Sequence, residues 1–270
     1  MKARNYFDVA VQYAKDVSAG KIIRGNNKRE CDRFLKDLKD ERFEIRTKEA
    51  DFTCGFIEQF CVHEKGEDFN GKPLKNKPFL LEPWEIFIIV NLLAFYWKGT
   101  DVVRFTEAFI FVPRKQGKSS LIAYLSLGLG MARRKSGSVI YITAASLKQS
   151  SETFAKIIYS LNYRLGPKEA AKEFRIRDNN QEHSIDKSFL DENGRPVGSL
   201  HIEAMAANPD RQDSFGCNIC IADEIHAYKS AAQYNRFKEA MKAYSNKLMV
   251  GITTAGDNQN SFCYGRLQYA

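Results

Sequence analysis

Long apolar runs are missing from this 270-residue chain, as are a cysteine framework, internal repeats and low-complexity tracts. The longest apolar stretch, Ile86 to Trp97, contains Asn91 and falls well short of the ~20 residues that a membrane-crossing helix needs. Six cysteines, at positions 31, 54, 61, 217, 220 and 263, follow no regular spacing, and no secretory leader precedes them. Reduced, cytosolic thiols are therefore expected rather than a disulfide scaffold. Cys217-x-x-Cys220 has the spacing of half a zinc knuckle. It lies in an apolar run that reads as a strand, where residues three apart point to opposite faces, which argues against a shared metal. Acidic residues are outnumbered: 41 Lys and Arg against 33 Asp and Glu give a net charge of +8 and a pI near 9.1. That balance suits a polyanionic partner such as nucleic acid.

What is present is an ordinary globular composition, 44% hydrophobic and 27% charged, enough for one large or two modest domains. Apolar positions at helical spacing predict helices over residues 5–19, 29–40 and 49–62, a helical lead-in that ends in a charged, Gly/Pro-punctuated loop from Glu64 to Pro78. From Phe79 the composition shifts. Pro83 suits the first turn of a buried apolar helix over 86–97. Strand 105–112, helix 118–134, strand 138–143 and a helix capped by Ser146 and running to about Leu165 then alternate, which predicts an α/β fold with a parallel sheet. Residues 166–199 are rich in Lys, Glu, Asp, Asn and Gly and read as a hairpin or polar insertion. Regular elements resume with strand 200–205, strand 217–222, helix 230–243 and strand 247–252. The expected organisation is a lead-in over 1–78 packed on a core over 79–270.

The chemistry begins at Phe109-Ile110-Phe111-Val112-Pro113-Arg114-Lys115-Gln116-Gly117-Lys118-Ser119-Ser120, where a β-prone run enters a short turn and a helix takes over. Gly117 lets the backbone approach a phosphate, and the N–H groups at the helix start, with the positive end of its dipole, point into the loop. Lys118 would reach the β- and γ-phosphates as a point charge, and the Ser119 hydroxyl would ligate Mg²⁺. Val112 stands where the full glycine-rich pattern has its first glycine, so a basic strand-to-helix turn on a solvated surface accounts for the same residues.

Two further stretches bear on that choice. The strand Asn218–Ala222 stops in Asp223-Glu224, which in a parallel sheet emerges at the carboxyl edge where such folds bind ligands. There Asp223 is placed to hold Mg²⁺ and Glu224 to orient an attacking water, although adjacent acids also make a plain solvated turn. Gly251-Ile252-Thr253-Thr254-Ala255-Gly256 ends a strand at the same edge and could sense the γ-phosphate, or simply form a β-turn.

Taken together, Pro113–Ser119, Ala222-Asp223-Glu224-Ile225-His226 and Thr253–Gly256 resemble the ATPase domain of the large terminase subunit, the DNA-packaging motor of tailed bacteriophages. The Arg-x-x-Gly-Lys-Ser loop is that family's form. Softer likeness extends to Leu81–Glu85, Thr143–Ala145 and Asp210–Asp213, and so over most of the chain from about residue 79. The resemblance implies a P-loop NTPase core of the additional-strand, catalytic-glutamate type, using ATP and Mg²⁺ to drive double-stranded DNA into a procapsid. It also implies a homo-oligomeric ring on a portal protein, a small terminase subunit as partner, no membrane, and action in the host cytoplasm.

By residue, it implies phosphate binding by Gly117, Lys118, Ser119 and Ser120, metal binding by Ser119 and Asp223, and catalysis by Glu224. Arg114 would stabilise transition-state charge in cis, and Arg211 would be offered to a neighbouring subunit's site. Thr253 and Thr254 match the coupling motif. Trp84 and Glu85 match the adenine-side motif, but the family often has glutamine at the position of Glu85, and an ionised glutamate can only accept hydrogen bonds. Large terminases usually continue into a nuclease domain. This sequence stops at Ala270, shortly after Gly256, so an isolated ATPase domain without DNA cleavage is expected. Two other readings stay open: a helicase-like ATPase, from the Asp-Glu-Ile-His run, and a docking module that binds nucleotide weakly.

Overall fold

The computed structural model describes residues 4–22, 27–180, 182–206, 216–254, 256 and 260–269. They fall into two compact units, one comprising 1–59 with 79–105 and the other 60–78 with 106–270. This division cuts the chain elsewhere than the sequence boundary at 78/79. Residues 79–105 group with the helices before them, and the loop 60–78 groups with the sheet.

The first unit contains α1 (Tyr6–Ser18), α2 (Lys28–Asp37), β1 (Phe43–Ile45), α3 (Lys48–Phe60), α4 (Pro83–Leu93) and β2 (Phe95–Trp97). Asn5 starts α1 by accepting the Asp8 amide on its side chain at 3.1 Å. α4 packs on α1, with Tyr13 and Phe87 rings 5.4 Å apart, and Phe34 bridges Phe87 and Phe95 edge-on. The apolar helix expected over 86–97 ends at Leu93. Its last residues, Phe95-Tyr96-Trp97, pair antiparallel with Phe43–Ile45. Consecutive aromatics fit a pleated, half-buried ribbon better than a further helical turn.

The second unit holds β3 (Glu107–Phe111), α5 (Lys118–Arg133), β4 (Ser138–Ala144), α6 (Leu147–Leu165), α7 (Pro167–Glu173), β5 (Arg177–Asp178), β6 (His183–Leu190), β7 (Pro196–Ala206), β8 (Ile219–Asp223), α8 (Ala231–Ala240), β9 (Leu248–Thr253) and α9 (Phe262–Tyr269). The strands form one sheet in the order β3-β9-β8-β4-β7-β6-β5. The five from β3 to β7 are parallel, and β6 and β5 extend the sheet antiparallel. β8 and β9 are buried at every position, the near-continuous apolar run of strands covered on both faces. Ser146 begins α6 in a capping box with Gln149, as its sequence suggests.

The stretch 166–199 holds the hairpin that its sequence suggests, β6 and the start of β7, but this hairpin extends the central sheet and is not an insertion outside it; the stretch also supplies α7 and β5, and buried Ile185 lies opposite buried Ile202. Its polar composition reflects a wet face near the sheet's edge, where Asp186 joins Arg177 to His201 at 2.8 and 2.7 Å. Cys217 and Cys220 also depart from expectation. Both are wholly buried in the same apolar cluster, with Tyr141, Phe237 and Met249, because the regular strand starts only at Ile219 and the opposite-faces argument does not reach Cys217. Among the described residues no helix is long and apolar enough to cross a membrane.

Candidate nucleotide site

Sheet order decides which segments meet. β9 lies between β3 and β8, with Phe111 opposite Thr253 and Asp223 opposite Ile252. The loop after β3, the acidic pair after β8 and the threonines ending β9 therefore emerge side by side at one carboxyl edge. The Val112 amide donates to the Thr253 carbonyl at 3.1 Å and joins the first of these segments to the last.

The phosphate-loop candidate then folds tightly. Lys115 and Gly117 both take left-handed backbone conformations, with φ of 65° and 76°, and the amides of Ser120 and Leu121 close on the Gly117 carbonyl to start α5. A Cβ added at Gly117 would meet nothing within 4 Å, so glycine is required there by torsion and not by space. Arg114 is exposed, whereas Lys118 is 7% exposed, with its ammonium 3.8 Å from Glu224 Oε1.

Glu224 is the second strained residue, a non-glycine at φ 51° and ψ 50°. Left-handed backbone of this kind costs about 1–3 kcal/mol and collects at functional sites. The turn is held by its neighbours. The Glu224 amide donates to Asp223 Oδ1 at 2.9 Å, and Thr153 Oγ1 of α6 donates to Asp223 Oδ2 at 3.0 Å. Burial and then the adjacent Glu224 charge push the Asp223 carboxyl up to about 6. His226 lies beside Glu224, its Nδ1 3.1 Å from Glu224 Oε2 but outside hydrogen-bonding geometry for that oxygen. The same Nδ1 and the His226 amide are each 3.1 Å from Thr253 Oγ1. Thr253 Oγ1 accepts from the His226 amide and donates to the Thr254 carbonyl at 3.1 Å. Gly256 runs so close that a Cβ there would come within 3.0 Å of the His226 Cβ.

These segments enclose a cavity of about 460 Å³ lined by Arg114, Lys115, Lys118, Lys156, Glu224 and His226, together with Gly117, Ser119, Ser120, Gln149 and Thr254. Among the described residues four lysine and arginine cations face one carboxylate, and two polar atoms here, Glu224 Oε2 and Thr254 Oγ1, are buried without hydrogen-bond partners. A polyanion with several acceptor and donor positions suits such a lining. A second cleft of about 500 Å³ in the first unit, between Arg4–Phe7 and the Thr47–Gln59 face of α3, gathers none of the expected residues.

Of the residues singled out from sequence, Arg114, Gly117, Lys118, Ser119, Ser120, Glu224 and Thr254 line this cavity, while Asp223 and Thr253 support it from beneath. Trp84 and Glu85 belong to the first unit, in the first turn of α4. There Glu85 is buried and accepts the Glu82 amide at 2.8 Å, and burial raises its carboxyl to about 7. Burial thus favours the neutral acid more than in an ordinary glutamate, whereas the accept-only argument takes the side chain as ionised. Arg211 lies outside the described residues. Sequence reasoning missed Gln149, Thr153 and Lys156, although their spacing of i, i+4 and i+7 from a recognised cap places them on one face of α6.

Comparison with known proteins gives the family and the fold. The family model described as the ATPase domain of the terminase large subunit matches residues 83–270. The chain belongs to that family. No curated protein matches it. Among solved structures it is similar to the large terminase of bacteriophage HK97, with a TM-score of 0.58 and 20% identity over 84% of this chain and 41% of that one. It is also similar to the large terminase ATPase domain of Thermus phage P74-26, with a TM-score of 0.44 and 15% identity over 58% of this chain and 64% of that one. The HK97 likeness is one of fold, and bears out the P-loop α/β reading. The chain spans less than half the length of the HK97 large terminase.

Proposed function

We propose that this terminase ATPase domain hydrolyses ATP and couples hydrolysis to translocation of double-stranded DNA. The observation that carries the reading is the convergence of a cationic loop, a strained glutamate and a strand-end threonine pair around one cavity. Gly117, Lys118, Ser119 and Ser120 hold the phosphates, with Arg114 beside the terminal one, where it stabilises charge as the transferring group departs. Glu224 orients and polarises the attacking water, and His226, bonded to Thr253, lies beside its carboxylate. Among the described residues no three metal-ligating side chains cluster. A Mg²⁺ held by Ser119 and Asp223 would take its remaining oxygens from nucleotide and water, as that ion commonly does, and would neutralise phosphate charge.

In this reading Thr253 and Thr254 report the loss of the γ-phosphate, and Thr253 is suited to do so because it touches His226 and lies 3.8 Å from Cys263 Sγ of α9. Arg211 completes the site of a neighbouring copy in a ring on a portal protein, with a small terminase subunit as a further partner, in the host cytoplasm. The test is ATP turnover by the pure chain with Mg²⁺. Activity lost in Glu224→Gln with ATP binding retained supports the assignment, and unchanged turnover rejects it. Turnover that rises with protein concentration and is lost in Arg211→Ala supports the ring.

A further inference from the structure

Among the described residues Lys156 is the one lysine or arginine lining the cavity that comes from outside the loop and helix following β3. It sits two turns along α6 from Gln149 and is 17% exposed. Its ammonium is 3.5 Å from Glu64 Oε2, the outer limit of a hydrogen bond. A largely buried cation with so long a pairing is poised to exchange partners when a stronger anion arrives.

Glu64 belongs to a structured arm, not a loose loop. Residues 62–78 form a hairpin with bridges Val62–Pro78 and Glu67–Pro73, and Asp68 Oδ1 folds its tip by accepting the amides of Asn70 and Lys72 at 2.9 Å. Its base is fastened to both helices that begin at the nucleotide cavity. Tyr124 Oη of α5 donates to the Val62 carbonyl at 2.7 Å, and the Val62 amide donates to Ser160 Oγ of α6 at 3.2 Å. Tyr159 Oη donates to Asn76 Oδ1 at 2.6 Å. One polar stripe of α6 thus serves three structures: Gln149 lines the cavity, Thr153 holds Asp223, Lys156 joins cavity to arm, and Ser160 holds the arm.

We propose that Lys156 is a nucleotide-contacting residue that trades Glu64 for the terminal phosphate of bound ATP, and that the 62–78 hairpin is thereby loosened at its base. The two states differ in one ion pair: Lys156 with Glu64 in the nucleotide-free chain, Lys156 with phosphate in the ATP-bound chain. A ligand shifts such an equilibrium only by its differential interaction with the two states, and the phosphate supplies that difference. This inference rests on the nucleotide-binding reading of the cavity.

The test measures ATPγS affinity and amide hydrogen exchange over residues 62–78 for the wild-type chain, Lys156→Met, Lys156→Arg and Glu64→Gln. ATPγS is expected to speed exchange near Glu64 in the wild type. Lys156→Met should weaken ATPγS binding by about fivefold or more and abolish the exchange response, the size of a modest coupling between sites. Lys156→Arg, which keeps the cation, should retain both. Glu64→Gln removes the competing state and should tighten binding by about two- to threefold. If the wild type binds ATPγS and Lys156→Met binds equally well with the hairpin response intact, this inference alone is overturned. If the wild type does not bind ATPγS, the nucleotide reading falls with it.

Discussion

Glu85 and Asp223 are both buried carboxylates placed where the sequence expects nucleotide chemistry, and both have raised proton affinity, yet they sit in different settings. In the first unit Glu85 spends an oxygen on the Glu82 amide inside its own helix turn, with Glu82 and Glu58 as its charged company. In the second unit Asp223 is held by Thr153, with Glu224 next in the chain and Lys118 close enough to oppose the shift. The difference teaches that burial alone does not mark a reactive acid. What distinguishes the second setting is strained backbone, facing cations and polar atoms left without partners, all at one sheet edge.

Exchanging acid for amide in each setting gives the largest contrast. Glu224→Gln is expected to lower kcat by about 10²–10⁴-fold, the usual worth of a positioned acid–base group, with ATP affinity near that of the wild type; single-turnover and binding measurements separate the two. Glu85→Gln should act on stability instead. The folded chain keeps a proton on Glu85 up to about pH 7, whereas the ordinary value is 4.5. Stability therefore falls as pH rises through that window and stays low above it. Removing the charge should make the variant more stable than the wild type above pH 7, by up to about 3 kcal/mol, with the gain gone near pH 4. Urea unfolding at pH 4.5 and 8 checks this, and equal midpoints at pH 8 would remove the burial argument.

Smaller effects sharpen the same contrast. Thr153→Val takes a donor from Asp223 and should cost about 1–3 kcal/mol, as for any buried acceptor left unsatisfied; a chemical melt gives the number. Phe69→Ala at the fully exposed hairpin tip should change stability by no more than about 0.5 kcal/mol, and a larger loss would mean that the tip packs against something.

Much of the second unit was legible in the chain. The apolar runs of β3, β4, β8 and β9, the Ser146 cap and the turn residues at 113–117 each carry a local signal that packing reinforces. The polar 166–199 stretch was legible as a hairpin, which β6 and β7 form, but not as part of the central sheet, because a strand with a solvated face has the composition of a loop until its partner strand is known. Phe95–Trp97 was misassigned for a related reason, since whether an aromatic run continues a helix or pairs as a strand depends on residues 43–45, which are distant in sequence.

The sequence by itself determined the chemistry on offer: a loop ending in Gly117-Lys118-Ser119, a strand ending in two carboxylates, and a strand ending in two threonines, each placed by short-range rules of spacing and turn geometry. Only the tertiary structure decided which of these touch and what stands behind them. β9 was inserted between β3 and β8, so the threonines lie between phosphate loop and acids. One face of α6 turned inward, bringing Thr153 to Asp223 and Lys156 to the cavity. Strand order and helix orientation are set by burying apolar surface over the whole unit, a long-range sum that no local pattern contains.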